Sequence, residues 1–197
     1  MVRLTIDGTP VSVPEGTTIL NAAREAGITI PTLCELKGLN EIGACRVCVV
    51  KVEGEDRFPA SCTTPVAEGM EVRTNTPEVV TARRSNVKMI LSEHRSECTS
   101  CLRADTCALQ QISRDLGAWN LPFPSNQTKA GDWDHDFPLR RDSSKCIKCM
   151  RCVSVCEKNQ HCAVWDFTGT GPHMKVTVRE GLPIADAGCS LCGQCIT

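Results

Sequence analysis

Cys146, Cys149, Cys152 and Cys156 form a Cys-x2-Cys-x2-Cys-x3-Cys run. Thiolates at x2-x2 spacing can wrap three corners of a cubane iron–sulfur cluster, and a fourth at x3 reaches across to a second cluster when two are paired. A second run should therefore exist, and Cys189, Cys192 and Cys195 repeat the x2-x2 spacing. The pattern predicts one [4Fe–4S] cluster on Cys156, Cys189, Cys192 and Cys195. Another is predicted on Cys146, Cys149 and Cys152, its fourth thiolate expected four residues after Cys195, at a position 199 beyond Thr197. The chain is accordingly expected to be the front of a longer polypeptide. Zinc takes four ligands per site and gives no reason for a third thiolate in each run, or for one shared at x3.

Two further ligand sets precede these runs. Cys34, Cys45, Cys48 and Cys62 are spaced x10, x2 and x13, the shape of the plant-type [2Fe–2S] motif Cys-x4-Cys-x2-Cys…Cys with a longer first loop. Gly43 and Ala44, just before Cys45, are expected to allow close backbone approach, with amides aimed at the sulfurs. Taken without its context, this set leaves zinc as a rival. His94, Cys98, Cys101 and Cys107 make a His-x3-Cys-x2-Cys-x5-Cys set that suits either a [4Fe–4S] cluster or zinc. Exchanging a thiolate for a neutral imidazole removes negative charge and should raise a cluster's potential. Cys162 is left over, and its plainest reading is a small buried apolar residue.

The elements that must hold these residues are legible in outline. Residues 2–6 and 11–13 alternate around Asp7-Gly8 as a hairpin. Thr17 or Thr18 could cap a helix carrying Ile19, Leu20, Ala23 and Ala26 on one face, stopped at Gly27. Strands are expected at Val47–Val52 and around Met70–Arg73, which completes a β-grasp outline. Val79, Val80, Val87, Ile90 and Leu91 recur at helical spacing from Pro77 to about Ser92, and residues 108–117 could continue helically. From Trp119 to Ser144 the composition reads as a connector, in which Asp132, Asp134, His135 and Asp136 are a solvated turn rather than a metal site. Val164–Phe167 and Met174–Val178 read as strands, joined by a Gly169/Gly171 pair that lacks the third glycine and the context of a dinucleotide fingerprint. The expected class is α+β: a β-grasp [2Fe–2S] ferredoxin-like domain over 1–78, a small helical domain over 79–120 built on one histidine and three cysteines, a connector over 121–144, and a two-[4Fe–4S] ferredoxin-like domain over 145–197, cut short at its C-terminal end.

Fifteen cysteines among 197 residues mean a disulfide scaffold in a small secreted protein and metal ligation in a cytosolic one. The N-terminus alternates like a strand and lacks the apolar run of a signal peptide, and no stretch approaches membrane-spanning length. A cytoplasmic setting is expected. With a net charge of -1, no tyrosine, and only Arg83-Arg84 and Arg140-Arg141 as basic pairs, nucleic-acid binding has little support. Those pairs read as solvated faces or as docking charges.

The order of motifs is more specific than any one of them. It resembles the N-terminal electron-transfer region of multi-cluster [FeFe] hydrogenases, and is similar to the opening of the complex I large iron–sulfur subunit and of some NAD-dependent formate dehydrogenases. Ile30-Pro31-Thr32-Leu33-Cys34, Cys45-Arg46-Val47-Cys48-Val49-Val50 and Gly188-Cys189-Ser190-Leu191-Cys192-Gly193-Gln194-Cys195 look most like the hydrogenase branch, including its NADH-linked, electron-bifurcating members and related transhydrogenases. The resemblance implies one [2Fe–2S] and three [4Fe–4S] clusters on the four sets. It also implies a flavin/NAD(H)-binding partner with iron–sulfur centres of its own, or ferredoxin, in a hetero-oligomer. No nucleophile–base pair, phosphate loop or nucleotide fingerprint is visible. The chain is thus expected to relay single electrons to a catalytic centre elsewhere, with [2Fe–2S] centres of this type lying at about −400 mV. The alternatives are the iron–sulfur subunit of a bifurcating transhydrogenase, a complex I or formate dehydrogenase component and, from another class, a zinc-stabilised scaffold.

Overall fold

The computed structural model describes residues 1–120, 133 and 136–196. Strand β1 (Val2–Ile6) turns through Asp7 and Gly8, both at positive φ, and pairs antiparallel with β2 (Thr9–Val13), from Val2 opposite Val13 to Ile6 opposite Thr9. Positive φ at both central residues is the type I′ hairpin geometry, whose twist suits the strands it joins. Helix α1 (Ile19–Glu25) starts at Thr18, whose hydroxyl accepts from the Asn21 amide at 3.3 Å. It lays Ile19, Leu20, Ala22 and Ala23 on the sheet against Leu4, Ile6, Val13 and Val72. Burying Ile19 and Leu20 contributes roughly 1.5–3 kcal/mol each. Strand β3 (Lys51–Val52) pairs antiparallel with β4 (Glu71–Arg73), and β4 lies parallel to β1, so the order is β2-β1-β4-β3.

The expected strand over Val47–Val52 is shorter than its apolar run. Only Lys51 and Val52 join the sheet, while Val49 makes an isolated bridge to Ala60. The run serves two cores. Val50 and Val52 face the sheet's core, whereas Val47 packs with Val87 and Leu91 in a second one, and the chain from Ala44 to Cys48 turns to reach it.

Helix α2 (Pro77–Glu93) is capped by the Thr76 hydroxyl, which accepts from the Val79 amide at 3.3 Å, with Pro77 at its first turn. Val79, Arg83, Val87 and Leu91 form its buried stripe, every fourth residue. Helix α3 (Ala108–Asp115) adds Leu109 to the second core, which Leu33 and Ala118 complete. Helix α4 (Arg151–Lys158) leads to β5 (Trp165–Thr168) and β6 (Lys175–Val178), an antiparallel pair over a third core of Val164, Trp165, Val176, Val178, Ile184 and Ala187. The glycine pair between them serves the turn: a Cβ on Gly169 would stand 2.5 Å from the His173 carbonyl oxygen.

The basic pairs are not simply solvated. Arg83 is 4% exposed and donates from Nε and Nη2 to the Val49 carbonyl at 3.1 and 2.7 Å. Arg84 Nε donates to the Leu116 carbonyl at 2.6 Å. Arg141 donates to the Val176 carbonyl at 2.6 Å and lies 4.8 Å over the Trp165 ring, on which Trp133 also stacks. Only Arg140 of the four is exposed. The guanidinium groups tie down the carbonyls of Val49 before β3, of Leu116 at the end of helix Ala108–Asp115 and of Val176 in strand Lys175–Val178, while an arginine's apolar stem can lie along the core. Asp132, Asp134 and His135 lie outside the described residues, and Asp136 is exposed. Among the described residues no helix is long and apolar enough to cross a membrane.

Candidate iron–sulfur sites

At the first site the loop after α1, the turn before β3 and the turn between β3 and β4 bring four thiols into two contacting pairs. Cys34 meets Cys45 and Cys48 meets Cys62, and Cys34, Cys48 and Cys62 are each 1% exposed. In each pair one thiolate is stabilised by the other's S–H: Cys45 and Cys48 lie well below the usual thiol range, and Cys34 and Cys62 are pushed up. Backbone amides of Val47, Cys34 and Leu33 lower Cys45 further, and the Cys45 amide lies 3.4 Å from Cys34 Sγ. Amide hydrogen bonds to ligand sulfurs of this kind favour the reduced state of a bound cluster. Gly43 is needed for its φ of 64° rather than for space, since a Cβ there would meet Thr63 and Ala60 at 3.4–3.6 Å, ordinary contact. Two sulfur pairs, rather than one converged quartet, suit two irons that each take two protein thiolates.

The second site forms where α2 ends. His94 caps the helix, two 3-10 turns carry Cys98–Ser100 and Ala104–Thr106, and Cys107 caps α3 with its sulfur 3.5 Å from the Gln110 amide. All four expected ligands line one small cavity, together with Arg95, Glu97 and Lys145. His94 Nδ1 is buried without a hydrogen-bond partner. Burial, then the Lys145 ammonium, holds the imidazole below the usual histidine range. A neutral imidazole with one unpartnered buried nitrogen, lining the same cavity as three thiols, is a donor set that a cluster or metal accepts.

The third and fourth sites repeat one backbone device. Lys148 and Met150 stand at φ 54° and 64° around Cys149, and Leu191 and Gly193 at φ 58° and 69° around Cys192. The same alternation of left-handed residues thus recurs at matching places in the two x2-spaced runs. Burial, then the neighbouring Cys149 and Cys146 thiolates, pushes Cys152 up to about 11. Burial, then Cys189 and Cys192, also raises Cys195, opposed by a hydrogen bond from Trp165. Cys156, Cys189, Cys192 and Cys195 line a cavity of about 150 Å³, whose wall also holds Cys162, half-buried with its thiol on the Gln160 carbonyl rather than the buried apolar residue expected. The Val164 amide lies 3.3 Å from Cys156 Sγ. Among the described residues no three Cys, His, Asp or Glu side chains close tightly enough for a single metal ion. The sulfurs instead border spaces that a cluster, with sulfides of its own, would fill.

Residues with no visible sequence signal join the sites. Asn40 bridges the carbonyls of Cys34 and Cys149, and Lys148 ion-pairs with Glu93, the neighbour of His94. The unusual length of the Cys34–Cys45 loop was the one hint.

Residues 1–77 match the 2Fe-2S iron–sulfur cluster binding domain family, 83–120 the NADH-ubiquinone oxidoreductase-G iron–sulfur binding region, and 139–159 the 4Fe-4S binding domain family. The chain is 39% identical to the NADP-reducing hydrogenase subunit HndD of Solidesulfovibrio fructosivorans, over all of this chain and 34% of that protein, so it spans about a third of that relative. It is 31% identical to the NAD-reducing hydrogenase HoxS subunit gamma of Cupriavidus necator, over 92% of this chain and 77% of that subunit. A solved structure of an NAD+-reducing [NiFe]-hydrogenase in the H2-reduced state superposes with a TM-score of 0.80 at 25% identity, covering 98% of this chain and 80% of that one. The fold is therefore a mixed α/β assembly of 2Fe-2S and 4Fe-4S ferredoxin-like domains, and the chain belongs to the family of the HoxS gamma subunit, with iron–sulfur domains of the NADH-ubiquinone oxidoreductase G type.

Proposed function

We propose that the chain is the electron wire of a larger NAD(P)H-linked hydrogenase, and that Cys34/Cys45/Cys48/Cys62 hold a [2Fe–2S] cluster. His94/Cys98/Cys101/Cys107, Cys146/Cys149/Cys152 with a ligand from elsewhere, and Cys156/Cys189/Cys192/Cys195 each hold a [4Fe–4S] cluster. The observation that carries this reading is the joining of the ligand-bearing loops by direct hydrogen bonds and ion pairs, through Asn40, Arg151, Lys148 and Lys145. Bound there, the clusters would accept and pass single electrons. The chain's own part is to hold them near one another, to exclude water with its three cores, and to set their potentials by amides and charges. A flavin/NAD(H) subunit or ferredoxin would load the wire, and hydrogen or other substrate chemistry would belong to another centre.

The hydrogenase motifs at Cys34, Cys45–Val50 and Gly188–Cys195 favour the electron-bifurcating [FeFe] type. The likeness to HoxS gamma and to the NAD+-reducing [NiFe] enzyme favours a second reading, in which the terminal centre contains nickel. Anaerobic iron, nickel and acid-labile sulfide analysis of the natural complex, with EPR after dithionite reduction, separates them. Several reducible [4Fe–4S] signals with one [2Fe–2S] signal and no nickel support the first, and stoichiometric nickel the second. Zinc without sulfide would refute both.

A further inference from the structure

The loop from Cys34 to Cys45 has ten intervening residues, against four in the plant-type motif. The extra length builds a dock. Leu36 and Asn40 close a turn on each other, with Leu36 N to Asn40 O at 3.1 Å and the reverse bond at 2.8 Å. Asn40 is 0% exposed. Its Nδ2 donates to the Cys34 carbonyl at 2.6 Å and to the Cys149 carbonyl at 2.9 Å, and its Oδ1 accepts from the Ser154 hydroxyl at 2.7 Å. Both hydrogens of one amide therefore end on ligand cysteines of two different sets. Around it, Arg151 donates to the Cys34 and Glu35 carbonyls at 3.3 and 2.8 Å, and Lys158 to the Leu39 carbonyl at 2.7 Å.

The chemistry of the position is narrow. Only a primary amide offers two donors on one atom and an acceptor beside it on so short a stem. Aspartate would face two carbonyl oxygens with a carboxylate, and leucine would leave both carbonyls and the Ser154 hydroxyl buried without that partner.

We propose that Asn40 is the positioning residue for the electron step between the Cys34/Cys45/Cys48/Cys62 centre and the Cys146/Cys149/Cys152 centre. It ties the backbone carbonyl of one ligand of each to a single nitrogen, so that its two N–H bonds neutralise the carbonyl dipoles of both ligands. The inference rests on those two ligand sets. Loss of the amide loosens the spacing of the centres and leaves two ligand carbonyls with their negative ends uncompensated, which disfavours added negative charge at each centre.

The test is Asn40→Leu in the natural full-length complex, with Ser154→Ala as the milder variant that keeps the amide but frees its orientation. EPR of the dithionite-reduced complex reads the spin–spin interaction between the two centres, and EPR-monitored redox titration reads their midpoint potentials. Expected for N40L is a weakened interaction and a fall in both potentials, with iron and sulfide content retained; S154A shifts the same quantities less. A change in thermal stability with coupling and potentials at wild-type values in both variants would overturn the proposal. If N40L does not assemble, wild-type values in S154A overturn it and shifted values uphold it. A wild-type complex lacking either centre's signal overturns the ligand assignment first, and the inference with it.

Discussion

Lys148 reaches from the coil between Cys146 and Cys149 to an ion pair with Glu93, the last residue of α2 and the neighbour of His94. The two side chains are 14% and 22% exposed, so the pair is shielded more than a surface contact and less than a core one. It fastens the third site to the second.

Exposed pairs contribute up to about 1 kcal/mol and breaking a buried one costs about 3–5 kcal/mol, which places this pair at roughly 2 kcal/mol. For a domain of this size that is about 4–8 °C in Tm. Lys148→Ala and Glu93→Gln should each lower the anaerobic melting temperature by about that amount. The double variant should fall little further, because either change already breaks the pair. Additive losses in calorimetry would show that the two residues act separately.

Arg83 sits in the apolar stripe of α2 and is the partner of the Val49 carbonyl, one residue past Cys48. A bond from a charged donor contributes about 1.5–3 kcal/mol, and an orphaned buried acceptor costs about 1–3 kcal/mol. Arg83→Met, which keeps most of the apolar stem, should therefore destabilise by about 2–3 kcal/mol in anaerobic thermal melts. Arg140→Ala, at the exposed position, should stay within about 0.5 kcal/mol of the parent. Equal effects of the two would contradict the buried assignment.

The contrast explains what the sequence could carry. Local devices were legible: the Asp7-Gly8 hairpin, the threonine cap of α1, the helical spacing of α2, and the x2-x2 runs, which recur as matched left-handed pairs at Lys148/Met150 and Leu191/Gly193. Each depends on neighbours within one turn of chain. Arg83 was illegible because an arginine's apolar stem and polar head suit either face of a helix. The Val47–Val52 run misled because a segment buried between two cores reads like a strand buried in one. Asn40 was illegible because its partner at Cys149 lies 109 residues away, and no periodicity records a contact at that separation.

Glu35, 6% exposed, is clamped by Arg24 Nη1 and Nη2 at 2.9 and 2.7 Å beside the first candidate ligand. The Arg24 hydrogen bond holds its carboxyl below the usual glutamate range, against the opposing effect of burial. A depressed folded pKa contributes stability that is fully present above the unfolded value, about 4.3, and is lost as pH falls through the folded one. The gap in melting temperature between the parent and Glu35→Gln should stay constant from about pH 8 to about pH 5 and narrow only below about pH 4.3. A gap that already shrinks between about pH 7 and about pH 6 would mean that another group, not Glu35, controls it.

His94 gives the sharpest test of what the second site holds. Its imidazole is buried, kept neutral by burial and by the Lys145 ammonium, its Nδ1 has no hydrogen-bond partner, and the residue lines one cavity with Cys98, Cys101 and Cys107. A neutral ligand leaves a cluster one negative charge short of its all-thiolate equivalent, and less negative charge makes reduction easier. His94→Cys supplies the fourth thiolate, so a [4Fe–4S] centre should survive with a lower midpoint potential in EPR-monitored titration, while the other centres keep theirs. His94→Ala should lose that one signal. If the site held zinc, the change would turn a set of three thiolates and an imidazole into one of four thiolates, equally good for zinc, and neither variant would move any potential. A lowered potential confined to one signal therefore identifies both the ligand and the cluster, and an unchanged set of potentials removes His94 from the wire.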